Sequence, residues 1–135
     1  MILALEQAPL PVLLPLHPRS RKIIPDIFRS LKNIRIIEPV GYLEMLSLTM
    51  GSYKVITDSG GLQKEAYFLN KPCITVRNET EWVETLHDNW NTLTGTRTEK
   101  ILEPILAPLP GQPQRHDFGN GQAAEIIIKK LSGMV

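Results

Sequence analysis

The sequence predicts an α/β fold in which a parallel sheet of about five strands is flanked by helices. Three observations predict it. A short apolar run followed by an amphipathic run recurs about every 20 residues along the 135-residue chain. The apolar runs are near-continuous rather than alternating, as in strands covered by helices on both faces. Polar residues and glycines then gather just after those runs, at the carboxyl ends of the strands, where open α/β sheets bind ligands.

Taken in order, MILALEQ reads as the tail of a helix, and the prolines after it as a turn. PVLLPL (11–16) is a buried strand, and SRKIIPDIFRSL (20–31) a helical stretch with Pro25 near its start or interrupting it. IRIIEP (34–39) is the second strand, and YLEMLSLTMGS (42–52) a helix ended by Gly51. YKVITD (53–58) is the third strand, followed by a helix over GGLQKEAYFLN (60–70) with Asn70 as its stop. PCITVR (72–77) is the fourth strand. ETEWVETLHD (79–88) reads as a helix opened by Asn78 or Thr80, with acids in its first turn where the dipole favours them. NTLTG (91–95) is the fifth strand, and TEKILEPILAP (98–108) and GQAAEIIIKKLSG (121–133) are the last two helices. Residues 109–120 form the one sizeable irregular segment, and no repeat beyond the strand–helix unit is seen.

Composition narrows the function classes. The chain has one domain's length, 42% hydrophobic and 21% charged residues, and a net charge of +1, which gives no electrostatic case for nucleic acid or an anionic membrane. The single cysteine, Cys73, excludes an internal disulfide and any multi-cysteine metal site, and fits a reducing cytoplasm. No run reaches the roughly 18 apolar residues of a membrane span. The apolar N-terminus carries Glu6 and prolines at 9, 11 and 15 and lacks a basic leader, so it is not read as a signal peptide. Three scattered histidines without ligand spacing argue against a metal. No cofactor is expected.

The strand end Thr57-Asp58-Ser59-Gly60-Gly61 admits two chemistries. DSGG surrounds the nucleophile of trypsin-like proteases, but those need an antiparallel barrel with a histidine base. A nucleophile elbow needs glycine two residues before the serine, where Thr57 stands. The other chemistry is anion binding. Ser59 sits at an N-cap, and the amides of Gly60, Gly61 and Leu62 face outward at the positive end of the helix dipole. Glu65 lies one turn on and leans toward the same mouth. A carboxylate repels a diphosphate, so it suits the hydroxyls of a ribose. Phosphate on the amides and a sugar diol on the acid together describe a nucleotide. The bland alternative is a simple helix cap with a solvated glutamate.

Ser59-Gly60-Gly61, three residues, then Glu65 after a TD strand end resembles the nucleotide-sugar motif of the non-hydrolysing UDP-N-acetylglucosamine 2-epimerases. LHPRSRK, IRIIEPVGYLEML, VITDSGGLQKEAYFLNKPCITVRNETEWVET, NTLTGT and FGNGQAAEII are similar to successive blocks of that family, covering roughly residues 1–131. The resemblance implies a single, incomplete Rossmann-like domain over residues 1–135. This would be the C-terminal half of a GT-B architecture, lacking its first strand and the N-terminal catalytic domain. It implies an isomerase interconverting UDP-GlcNAc and UDP-ManNAc by elimination and re-addition of UDP, for cell-envelope polysaccharide. This chain would bind UDP and be inactive alone, with no catalytic residue of its own. Ser59, Gly60 and Gly61 would hold the diphosphate, Glu65 the ribose, and the segment from Glu38 through Tyr42 to Met45 the uracil. His17 and Arg19 would face the interdomain cleft, and Arg77 and Glu81 would border the diphosphate and sugar. Arg77 is equally read as a structural ion pair to Glu79 or Glu81. Trp82 departs from the arginine some members place there. The implied partners are the UDP-sugar and either a second copy of the chain or the missing domain. The alternatives are a nucleotide-sugar-binding half of a GT-B glycosyltransferase or a stand-alone nucleotide-binding module. The TVRNETEWVE block favours the epimerase.

Overall fold

Five strands follow one another in the order expected, each paired in parallel, but their hydrogen bonds divide them into two sheets. The computed structural model describes residues 1–16, 19, 31–115 and 117–133. His17, His116 and nearly all of the helix expected over 20–31 lie outside the described residues. Strands β1 (Val12–Pro15) and β2 (Ile34–Ile37) pair in parallel, with Val12 opposite Ile34. Strands β3 (Val55–Thr57), β4 (Cys73–Thr75) and β5 (Asn91–Leu93) form a second parallel sheet with β4 in the middle. A single ladder across all five strands is therefore replaced by a pair and a triple.

One apolar core serves both sheets. Helix α1 (Ile2–Glu6) contributes Ala4 and Leu5, and α4 (Thr98–Leu106) contributes Ile101 and Ile105. Between them these four side chains meet Ile34 of β2 and Ile74 of β4. The five-residue α1 is too short to persist on its own, and polar clamps hold it. Its Glu6 carboxylate accepts the amides of Lys32 and Asn33 at 2.8 and 3.1 Å. The Asn33 side-chain amide donates to the carbonyls of Leu5, Ala8 and Leu10.

Helix α2 (Tyr42–Gly51) opens on Gly41, whose amide donates to the Glu44 carboxylate at 2.7 Å. Helix α3 (Gly60–Phe68) packs beside it and covers the triple with Ala66 and Leu62 against Val55 and Cys73. Its end is a Schellman motif: the amide of Asn70 reaches Tyr67 O, and that of Lys71 reaches Ala66 O. Asn70 takes the left-handed conformation the motif requires, φ 55°.

Two expectations are corrected. Residues 79–88 do not form a continuous helix. The observed element is a 3-10 segment, Val83–Asn89, broken by His87 in an extended conformation and Asp88 at φ 54°. Hydroxyls of Thr80 and Thr85 capture the backbone of Trp82 here, which competes with helical bonding. Nor is β1 fully buried, since Leu13 keeps 48% of its surface exposed. Helix α5 (Ala123–Leu131) is exposed along its whole length, with Ile127, Ile128 and Leu131 open to solvent. No described helix is long and apolar enough to cross a membrane.

Candidate functional site

The β3–α3 junction is built as an anion mouth. Ser59 caps α3 from an extended conformation, and its Oγ accepts the amide of Leu62 at 3.4 Å. The hydroxyl of Thr57 in turn accepts the Ser59 amide at 3.0 Å, which fixes the turn. Of the three amides expected to face a ligand, Leu62's is therefore already taken, because a serine N-cap bonds the third helical residue. Those of Gly60 and Gly61 have no partner among the described residues. They leave two donors at the positive end of a nine-residue helix.

The loop after β4 folds over this mouth. A Cβ placed on Gly60 would lie 3.3 Å from Glu81 Oε2 and 3.5 Å from Trp82 Nε1, so both side chains stand against that glycine. Arg77 holds Glu81 with both guanidinium NH groups, at 3.1 and 3.2 Å from NH1 and 3.1 Å from NH2. The Glu81 carboxyl is pulled below the usual carboxylate range, first by its own backbone amide and then by Arg77. Of the two partners the sequence leaves open for Arg77, the structure selects Glu81. Lys64 adds a second cation, its ammonium 4.1 Å from the centre of the Trp82 ring and 4.9 Å from that of Phe118.

Glycine is also required nearby, at Gly95, for two reasons. Its φ is +61°, and a Cβ there would stand 2.6 Å from Asn78 Oδ1. The Gly95 amide donates to Arg77 O at 3.0 Å, so the end of β5 buttresses the residue that grips Glu81.

Contacts thus bring Gly60, Glu81 and Arg77 together, with Ser59 and Gly61 the chain neighbours of Gly60. Glu65 is one helical turn on and half-buried, and its carboxylate makes no hydrogen bond or ion pair among the described residues. Tyr42 and Met45 stand in the first turn of α2, the neighbouring helix. The former is 64% exposed and the latter half-buried. Arg19 is exposed beyond the end of β1, and His17 lies outside the described residues. No group of three or more His, Cys, Asp or Glu able to hold a metal occurs among the described residues.

Sequence reasoning missed the polar layer beneath the mouth: Gln63, Thr75, Thr85 and Asn91 are all buried. The available signal was polar residues in otherwise apolar strand runs, Thr75 in PCITVR and Asn91 opening NTLTG. It also missed a cavity of about 260 Å³ at the opposite end of α3, lined by Tyr67, Phe68 and loop residues 113–115, 118 and 119. That cavity faces the carbonyl end of the helix and holds none of the expected residues. In its wall the Tyr67 hydroxyl donates to Arg115 O, and Arg115 pairs with Asp88 at 2.8 Å.

The model of the UDP-N-acetylglucosamine 2-epimerase family matches residues 1–132. A UDP-N-acetylglucosamine 2-epimerase homolog of Methanococcus maripaludis is 46% identical over 129 residues, covering 91% of this chain and 36% of that protein. The UDP-2,3-diacetamido-2,3-dideoxy-D-glucuronate 2-epimerase of Pseudomonas aeruginosa is 45% identical over 125 residues, 90% of this chain and 35% of that protein. The structure of the Methanocaldococcus jannaschii UDP-GlcNAc 2-epimerase in complex with UDP-GlcNAc and UDP superposes with a TM-score of 0.73. It is 38% identical, and the match covers 91% of this chain and 36% of that one. The chain spans about a third of the length of the relatives it matches. With a match over residues 1–132 and the same parallel α/β architecture, this chain belongs to the UDP-N-acetylglucosamine 2-epimerase family.

Proposed function

We propose that this chain binds the UDP portion of a UDP-sugar and serves as the nucleotide half of a 2-epimerase. The observation that carries the reading is the α3 mouth. Two unpartnered glycine amides stand one helical turn from an unpaired carboxylate, Glu65. The amides of Gly60 and Gly61 take the diphosphate, and Glu65 accepts the ribose hydroxyls. Tyr42 and Met45 wall the uracil from α2, and Arg77 with Glu81 borders the diphosphate and sugar. Arg19 is assigned to the side toward the rest of the enzyme, the role also expected of His17, which lies outside the described residues.

The reaction is inversion at C2 of the sugar by elimination and re-addition of UDP, and its proton transfers need carboxylates that this set does not supply. Those groups are assigned to a further domain, and the 135 residues form one nucleotide-binding domain. The isolated chain should therefore show negligible turnover. Cys73, free and buried, supports work in a reducing compartment, the cytoplasm.

The sugar has two candidates, because two relatives of nearly equal identity are named for N-acetylglucosamine and for a diacetamido glucuronate. Both ligands contain UDP, so calorimetric titration separates the questions. UDP should bind and a cytidine nucleotide should not. The sugar with the larger gain over UDP identifies the substrate. Equal binding of UDP and CDP overturns the uridine assignment.

A further inference from the structure

Beneath the mouth runs a chain of side-chain hydrogen bonds in which every hydroxyl proton has one destination. Thr75 Oγ1 donates to Asn91 Oδ1 at 2.7 Å. The Asn91 amide donates to Thr85 Oγ1 at 2.9 Å and to Gln63 Oε1 at 3.3 Å. Thr80 Oγ1 donates to Gln63 Oε1 at 2.6 Å and accepts the Trp82 amide at 3.1 Å. Thr85 Oγ1 donates to Trp82 O at 2.6 Å.

Two consequences follow. The backbone of Trp82 is held at both its N–H and its C=O by hydroxyls that are themselves anchored to α3 through Gln63 and to β5 through Asn91. The segment from Thr80 to Trp82 lies outside helix and strand, yet its Glu81 and Trp82 side chains stand against Gly60. The network also leaves one group over: Gln63 Nε2 is buried without a partner. An unmade bond to a buried donor is destabilising, while the Gln63 carbonyl serves two donors at once.

We propose that Gln63, Thr80 and Asn91 are positioning residues. Through the backbone of residues 80–82 they set where Glu81 and Trp82 stand over Gly60, and so the width and charge of the mouth that meets the diphosphate. This rests on the UDP reading above. Gln63 and Asn91 are buried and act through Thr80 and Thr85.

The test is Thr80→Val, which removes both hydroxyl bonds at nearly constant volume, beside Thr80→Ser, which keeps them. Calorimetry on the full chain should show UDP binding weakened about three- to tenfold in T80V, the fold-change expected for one or two lost net hydrogen bonds, and within twofold of the unmutated chain in T80S. T80V binding UDP as tightly as the unmutated chain overturns the proposal. If the unmutated chain binds no UDP, the ligand reading fails, and positioning is judged on the free protein. There the amide resonances of Gly60 and Gly61 should move in T80V and stay in place in T80S. Resonances unchanged in T80V overturn positioning independently of any ligand. Should T80V not fold, Thr80→Ala carries the same readouts, and loss of folding in both assigns the network to the core and overturns the proposal.

Discussion

At the scale of residues, the mouth of α3 balances two opposite demands. A helix N-terminus with free amides attracts an anion, yet Glu81 places a carboxylate against Gly60. Arg77 resolves the conflict by gripping that carboxylate with both guanidinium NH groups, so the pair presents little net charge to a ligand. Arg77→Met should therefore weaken UDP binding about tenfold or more, because it leaves an uncompensated charge facing the diphosphate. Glu81→Gln alone should change binding far less, and the double variant should recover most of the loss. Calorimetric Kd values around that cycle decide it; a double variant no better than R77M would show that Arg77 acts on the ligand alone. Cys73 gives a second, pH-dependent prediction. Burial pushes its thiol from 9.0 up to about 11, so the folded state favours the protonated form. Stability from this thiol is fully present below about pH 9 and is lost as pH climbs toward 11. Denaturant midpoints measured at pH 8 and pH 10.5 should fall less steeply in Cys73→Ala than in the unmutated chain. Equal slopes would mean that the thiol does not titrate there.

At the scale of elements, helix ends carry much of the specificity. Pro104 sits inside α4 and has no amide to offer the preceding turn. Lys54 meets the carbonyls at that end, its ammonium donating to Pro104 O at 2.7 Å, to Ile105 O at 3.2 Å and to Ala107 O. A cation at the negative end of the dipole is favourable there, although partial burial pulls the Lys54 ammonium below its usual range. Lys54→Met should cost about 1–3 kcal/mol in chemical denaturation, since three carbonyls lose a charged donor. Lys71→Met should cost less, because Lys71 bonds only Ser52 O in the same fashion at the end of α2. A larger loss in K71M than in K54M would contradict this ranking. These ends also show what a sequence carries. Apolar runs locate β1 to β5 within a residue or two, since covered parallel strands are largely apolar, and Ser59 and Asn70 announce the start and stop of α3. The segment over 79–88 misleads because its acids and apolar residues have helical spacing, while Thr80 and Thr85 spend their hydroxyls on Trp82 and Asp88 and Asn89 turn left-handed. In the site, Ser59 with its two glycines is legible as a cap. The loss of the Leu62 amide follows from that cap itself, whereas the arrival of Glu81, 21 residues beyond Gly60, depends on tertiary contacts that no local pattern encodes.

At the scale of the whole molecule, the division into two sheets leaves open edges on β1 and β3 whose hydrogen-bonding capacity differs. In a strand, successive residues present their N–H and C=O groups to opposite edges. On β1 the amides of Val12 and Leu16 donate toward β2, so residues 11, 13 and 15 face the other way, and two of those three are prolines. That edge offers one amide, from Leu13, and is blunted against strand addition in the way edge strands commonly are. On β3, Val55 donates to Pro72 O and Thr57 O accepts from Val76, so Lys54, Ile56 and Asp58 face away from β4 with their amides intact. No described strand pairs with that edge. Of these two edges, that of β3 is therefore the better donor to an added strand, and a second copy of the chain can supply one. We expect self-association at micromolar concentration, visible as a concentration-dependent mass in sedimentation equilibrium. Ile56→Pro removes an outward amide without touching the ladder to β4, so it should shift the chain toward monomer at a modest loss of stability. Leu13→Pro on β1 should leave the association constant nearly unchanged, since that edge already lacks two donors. An unmutated chain that sediments as a monomer across the range, or an I56P chain that associates as tightly as its parent, would show that the β3 edge is not the contact.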